Sequence, residues 1–248
     1  MNSSVAFAPH ITAQRAHCTI AVQAIRSLVQ GQAGFGGKNE WFEILIRPHG
    51  IHEGKSPREF VDRLYYERPP QVTDIEILER ATDWANSRSN PTRISVNAHP
   101  NSLTCQRFIA CVSASNSELV KRGHSLCLEL VEYGACERKR AMIDNAQKLR
   151  QEGVLIALDD FGSGVNCFDL CAAGIVDLLK IDVSLVAGIE TNPNQRALVH
   201  SILTLGRGLG AKVVAEGVET AAQVTTLSEM GADFAQGFKF HKPQRVEA

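Results

Sequence analysis

Short runs of β-branched and aliphatic residues alternate along this chain with longer stretches whose apolar positions recur at helical spacing. Cys18–Ile25, Trp41–Arg47, Arg93–Asn97, Ser125–Leu130, Leu155–Asp159, Leu178–Ile181, Lys212–Ala215 and Phe234–Phe238 read as eight strands. After Thr73–Asp74, which reads as a cap, Ile77, Leu78, Ala81, Trp84 and Ala85 recur at helical spacing. Met142, Ile143, Ala146 and Leu149 lead up to Gly153, and Leu198, Ile202, Leu205 and Leu209 form a stripe that stops near Gly210. Weaker helical stretches at Phe168–Ala173 and Ala221–Met230 complete the alternation. The first connection breaks it. Arg26–Glu40 contains GQAGFGGKNE, too rich in glycine for a crossover helix, so the first two strands are expected to pair antiparallel.

Repeated strand and helix without an internal sequence repeat or linker predicts an α/β protein, a TIM-like (β/α)8 barrel with an antiparallel first strand. The expected division is an N-terminal extension over 1–17 and one barrel domain over 18–248. A length of 248 residues and 44% apolar content suit one large core. Charge is balanced, with 26 Lys and Arg against 27 Asp and Glu. That argues against a polymeric nucleic acid partner, which needs clustered cations, and leaves room for a small anionic ligand. The seven cysteines (Cys18, Cys105, Cys111, Cys127, Cys136, Cys167 and Cys171) form no CxxC pair and no zinc-spaced cluster. Buried thiols in a reducing, cytoplasmic setting are the expectation. The first residues carry no apolar signal core, and no run of 18 apolar residues is present to span a bilayer.

Candidate chemistry lies in the strands themselves. Nearly every apolar run contains or ends in an acid, an amide or an amine: Glu43 in WFEILIR, Asn97 in RISVNAH, Glu129 in LCLELVEYG, Asp159–Asp160 in IALDDFGSG. Lys180 and Asp182 in LLKIDVS, Glu216 in VVAEGVE and Gln236 in FAQGFKF continue the series. Any one of these is ordinarily a turn residue or a cap; their recurrence at strand ends, which meet at one mouth of a barrel, is the signal. Crowded carboxylates need cations. Oxygen donors without His or Cys suit Mg2+ or Mn2+, and adjacent acids could hold two ions about 4 Å apart. His99, two residues beyond Asn97, reads as a cap or a solvent-facing side chain rather than a ligand.

In order and spacing, FEILIR, RISVNAH, LELVE, IALDDFGSG, LLKIDVS, KVVAEGVET and FAQGFKFHKP resemble the EAL domain of bacterial c-di-GMP phosphodiesterases, from about Gln23 to Pro243. The resemblance implies hydrolysis of c-di-GMP to linear pGpG by a two-metal, water-activating mechanism. It implies metal ligation by Glu43, Asn97, Glu129, Asp159, Asp160 and Glu216, with Asp159 bridging the ions. Glu43, Lys180 and Glu216 are the implied catalytic residues, Lys180 touching the attacking water; which group acts as base stays open. Gln23, Arg47, Asp182 and Gln236 are implied on the substrate side, Arg47 at a phosphate. Glu132 is implied to anchor the loop Phe161–Asn166, with Glu219 in a similar loop-anchoring role. A homodimer, and a sensor domain or protein partner outside this chain, are further expectations from the family.

The sequence also departs from the family pattern. Ile44 replaces the alanine of the name motif, Pro48–His49 stand where an aromatic residue is common, Leu64–Tyr65 replace Ala-Glu, and Ala98–His99 replace Leu-Ser. Val131 stands for a threonine, Ser163 for another, and Val165–Asn166–Cys167 for Tyr-Ser-Ser. None removes an implied ligand. They leave a second reading, a weak or inactive c-di-GMP receptor or protein-interaction module on the same fold, and a third, a barrel acting on another phosphoester.

Overall fold

Side chains alternate between the two faces of a strand, so a residue two positions along reports on the same face one layer higher. The computed structural model describes residues 18–29, 40–50, 53–130, 138–163 and 168–246. Its strands are β1 (Cys18–Ser27), β2 (Glu40–Pro48), β3 (Thr92–Ala98), β4 (Ser125–Leu130), β5 (Leu155–Phe161), β6 (Leu178–Ile181), β7 (Lys212–Ala215), β8 (Phe234–Gln236) and β9 (Gln244–Val246). β2 through β8 pair in parallel in sequence order. β1 closes the barrel by pairing antiparallel with β2 on one side and β8 on the other. The barrel and its antiparallel first strand are as the sequence predicts. β9, which pairs antiparallel with β1, was not expected.

Two layers fill the interior. Ile25, Trp41, Cys127, Ala157, Leu178, Val214 and Phe234 form an apolar plug, with the Trp41 and Phe234 rings edge to face at 5.1 Å. Two residues further toward the mouth on the same strands stand Gln23, Glu43, Glu129, Asp159, Lys180, Glu216 and Gln236, and β3 adds Asn97 above Ser95. The indole of Trp41 donates to Ser95 Oγ at 2.9 Å, which ties plug to wall. A dry floor under a polar layer is what places the strand-end acids over apolar packing instead of water.

The larger core lies outside the strands, against α1 (Pro57–Glu67), α2 (Pro70–Asn86), α3 (Gln106–Lys121), α4 (Lys139–Gln151), α5 (Phe168–Ala172), α6 (Val183–Val186), α7 (Pro193–Leu209) and α8 (Ala221–Met230). α8 has the expected bounds and a reciprocal cap between Thr220 and Gln223. Three expectations shift. Thr73–Asp74 lie inside α2, not at its cap, because Pro69 and Pro70 start the helix a turn earlier. The buried face of α7 is Val199, Ile202, Leu203 and Gly206, which leaves Leu198 and Leu209 exposed, although Gly210 does end the helix in a left-handed turn. β8 stops at Gln236, so Phe238 is not a strand residue. Among the described residues, no helix is long and apolar enough to cross a membrane. The extension at 1–17, most of the glycine-rich connection and Glu132 lie outside the described residues.

Candidate active site

Lys180 is the centre of the polar layer. It sits on β6 with 1% of its side chain exposed, and its ammonium is 2.6 Å from Glu129, 2.7 Å from Glu216, 2.8 Å from Asp159 and 3.7 Å from Glu43. Four acids from four strands meet one cation. Burial alone would lower its pKa, but the charges of Asp159, Glu129, Glu216 and Glu43 more than offset that and hold it well above the ordinary value. An ammonium has three N–H donors, and three carboxylates lie within hydrogen-bonding reach of it here.

The acids are overcrowded. Burial pushes the Glu129 carboxyl up to about 8; Lys180 pulls it down, while Glu43 and Asp159 add to the rise. Glu216 is raised well above its ordinary value for the same first reason, with Asp159 and Glu43 as the repelling neighbours. Asp160 is raised to about 6 by desolvation, then by Asp159 and Asp182.

Asp159 and Asp160 are consecutive, and in a regular strand only one could face the mouth. The β5–β6 register shifts between Leu158 and Phe161, and Asp160 has a φ of 50°, the one non-glycine residue with positive φ among the described residues. This bulge turns both carboxylates the same way. One carboxylate oxygen each from Asp159, Asp160 and Glu216 then lie within 4.8 Å of one another.

The amides complete the ring. Asn97 Nδ2 donates to Glu43 Oε1 at 3.2 Å, and Gln236 Nε2 donates to Glu43 Oε2 at 2.5 Å and to Gln23 Oε1 at 3.1 Å. Gln23 in turn donates to the carbonyl of His241 at 2.9 Å. Its amide thus acts as a strut between β8 and the chain beyond it. Asn97 Oδ1, Glu129 Oε1 and Gln236 Oε1 are buried without a hydrogen-bond partner. Unsatisfied buried oxygens beside crowded carboxylates are a donor set that fits a hard divalent cation.

The remaining predicted residues are less central. Arg47 is half-buried on the same face of β2 as Glu43, and its Nη1 donates to the carbonyl of Ile46. Asp182 caps α6, accepting from the backbone N–H of Ser184 at 2.9 Å, and lies beside Asp160. Glu219 lines the cleft with Val183, Gly217 and Phe238, and its backbone N–H donates to Gln223. His99 caps a 3-10 turn at Pro100–Thr104, accepting from Asn101, as the sequence suggests. Sequence reasoning missed Asp74. It is fully buried and holds Tyr65 by its hydroxyl at 2.7 Å and His99 by its backbone N–H at 2.9 Å, just past Asn97. The sequence reads it with Thr73 as a cap, and Pro69 and Pro70 ahead of it were the available sign that the helix begins earlier and buries it.

A closed barrel with an acid-rich ring at the parallel strand ends defines a protein whose working surface is that mouth. The chain belongs to the EAL domain family, whose profile matches residues 36–243. It is 31% identical over 153 residues to the cyclic di-GMP phosphodiesterase RocR of Pseudomonas aeruginosa, covering 62% of this chain and 39% of that protein. It is 29% identical over 230 residues to the cyclic di-GMP phosphodiesterase PdeB of Shewanella oneidensis, covering 90% of this chain and 26% of that one. Among solved structures it is similar to the manganese and cyclic-di-GMP complex of BlrP1 from Klebsiella pneumoniae, with a TM-score of 0.74 and 27% identity, over 96% of this chain and 58% of the other. The chain thus spans well under half the length of these two curated relatives.

Proposed function

We propose that this chain is a hydrolase that opens c-di-GMP to linear pGpG with the help of two divalent ions, Mg2+ or Mn2+. The observation that carries the reading is the convergence of Glu43, Glu129, Asp159 and Glu216 on the single ammonium of Lys180, with Asp160 beside Asp159 and Glu216, and with Oδ1 of Asn97 and Oε1 of Glu129 left without hydrogen-bond partners. Family membership and the named activities of the relatives supply the substrate.

In this reading Glu43, Asn97, Glu129, Asp159, Asp160 and Glu216 would hold the ions. Divalent ions bound there supply Lewis acidity, lowering the pKa of a water and drawing charge from phosphate oxygens. The protein's own part is arrangement. Gln236 and Asn97 grip the two oxygens of Glu43 and fix its orientation. The plug beneath excludes water from the floor, which strengthens every charge interaction above it. Lys180 faces three carboxylates with its three donors, so it reaches an attacking water only as one acid turns away from it. Lys180 thus holds the acids together, and with ions bound to those acids it would steer the attacking water. The exposed ring of Phe238 and the side chain of Val183 give the cleft an apolar wall against which a nucleobase can lie.

The test is conversion of c-di-GMP to pGpG by the purified chain with Mn2+ or Mg2+, against chelator and against Glu43→Gln. The reading requires ion-dependent product from the wild type and at least a hundredfold less from the variant, the scale expected when a preorganised electrostatic group is removed.

A further inference from the structure

The β1–β2 side of the mouth carries the opposite charge from the acid ring. β9 pairs with β1 so that Arg245 stands opposite Ala21, and Ala21 stands opposite Leu45 of β2. Paired residues share a face, and faces alternate, so Arg245 lies on the face of Ala21, Gln23, Glu43 and Arg47. Ile20, Val22 and Ala24, on the other face, pack into the outer core. The Arg245 guanidinium reaches across β1 and donates from Nη2 to the carbonyl of Pro48, the residue after Arg47, at 3.1 Å. Burial holds Arg47 below its ordinary pKa; Glu43 opposes that, and the positive charge of Arg245 adds a smaller push downward. Arg245 also pairs with Glu53, 3.8 Å from Nη1, with the two side chains 47% and 66% exposed. A pair that exposed is weak.

We propose that Arg245 and Arg47 form a two-arginine clamp for a phosphodiester, set on the rim above the acid ring. Two guanidiniums held side by side repel, and an anion between them offsets that repulsion while accepting charge-assisted hydrogen bonds from both. The clamp rests on the reading above: c-di-GMP has two phosphodiesters, and while the acid ring works on one, the rim holds the other. Arg245 lies outside residues 36–243, the stretch that matches the family profile.

The experiment measures kcat and KM for c-di-GMP with saturating Mn2+ in the wild type, Arg245→Gln and Arg245→Lys, with thermal melts of each. Arg140→Gln, an 88% exposed arginine on α4 paired with Asp144, is the control. The clamp predicts a KM raised about tenfold in Arg245→Gln with kcat changed much less, partial recovery in Arg245→Lys, and wild-type values in the control. A wild type that turns over c-di-GMP while Arg245→Gln keeps its KM overturns the clamp alone. So does a loss confined to kcat, or one matched by a fall in Tm. A wild type that neither binds nor hydrolyses c-di-GMP overturns the reading beneath it, and the clamp with it.

Discussion

At the scale of single residues, the most exposed consequence concerns Lys180. Removing one partner from a buried ion cluster leaves the others uncompensated and costs about 3–5 kcal/mol. Lys180→Met is expected to lose about that much stability in chelator, read by urea denaturation. Added Mn2+ should restore more of it than it adds to the wild type. Asp74 gives a second test, through pH. Burial raises its carboxyl from 3.8 to about 6, against the hydrogen bonds of Ser102, Tyr65 and His99, so the folded state favours the protonated form. Its contribution is therefore complete below about pH 4 and is lost as pH rises through about 6, a change of about 3 kcal/mol at 1.36 kcal/mol per pKa unit. Asp74→Asn should remove that slope in denaturation series at pH 4 and pH 8. The acid ring itself was legible in the sequence because each member interrupts an apolar strand. Asp74 was not, because beside Thr73 it reads as an ordinary helix cap.

At the scale of elements, the bulge in β5 and the turn after β8 do the positioning. Asparagine tolerates positive φ about as well as aspartate. Asp160→Asn should keep stability within about 0.5 kcal/mol while raising the Mn2+ concentration needed for half-maximal turnover, measured by metal titration. Gly237 is held between β8 and Val218, where an added Cβ would lie 2.1 Å from the Val218 carbonyl oxygen. Gly237→Ala has to push Val218 aside, breaking the Val218–Gln236 backbone bond. It should cost about 2 kcal/mol in denaturation and loosen Gln236 from Glu43. All eight barrel strands carried hydrophobic runs legible in the sequence. The short β9 did not: Gln244, Arg245 and Val246 gain strand character only by lying on β1. The bulge was equally hidden, since two adjacent acids say nothing about which way either one points. α1 went unnamed because it buries only Phe60 and Leu64, and α3 because Asn116 interrupts its buried face of Phe108, Val112 and Leu119.

At the scale of the whole molecule, the architecture separates stability from chemistry by layer. The apolar plug and the outer core hold the barrel closed, and the charged layer rests on that floor with more acids than its one lysine balances. An ion bound by those acids would add to stability, by about 2.7 kcal/mol at a concentration of about a hundred times its Kd. The barrel and the ring followed from strand alternation and strand-end acids, whereas the nucleotide followed only from family likeness, because no spacing of carboxylates specifies a guanine. The central claim is that this ring is a two-ion phosphodiesterase centre. Its most direct test is chromatography of c-di-GMP incubated with the folded chain, with Mn2+ or Mg2+ and with chelator. The account predicts pGpG only when the ion is present, and almost none from Glu43→Gln. Intact c-di-GMP after incubation with folded, ion-saturated protein, or pGpG formed equally well in chelator, would contradict it.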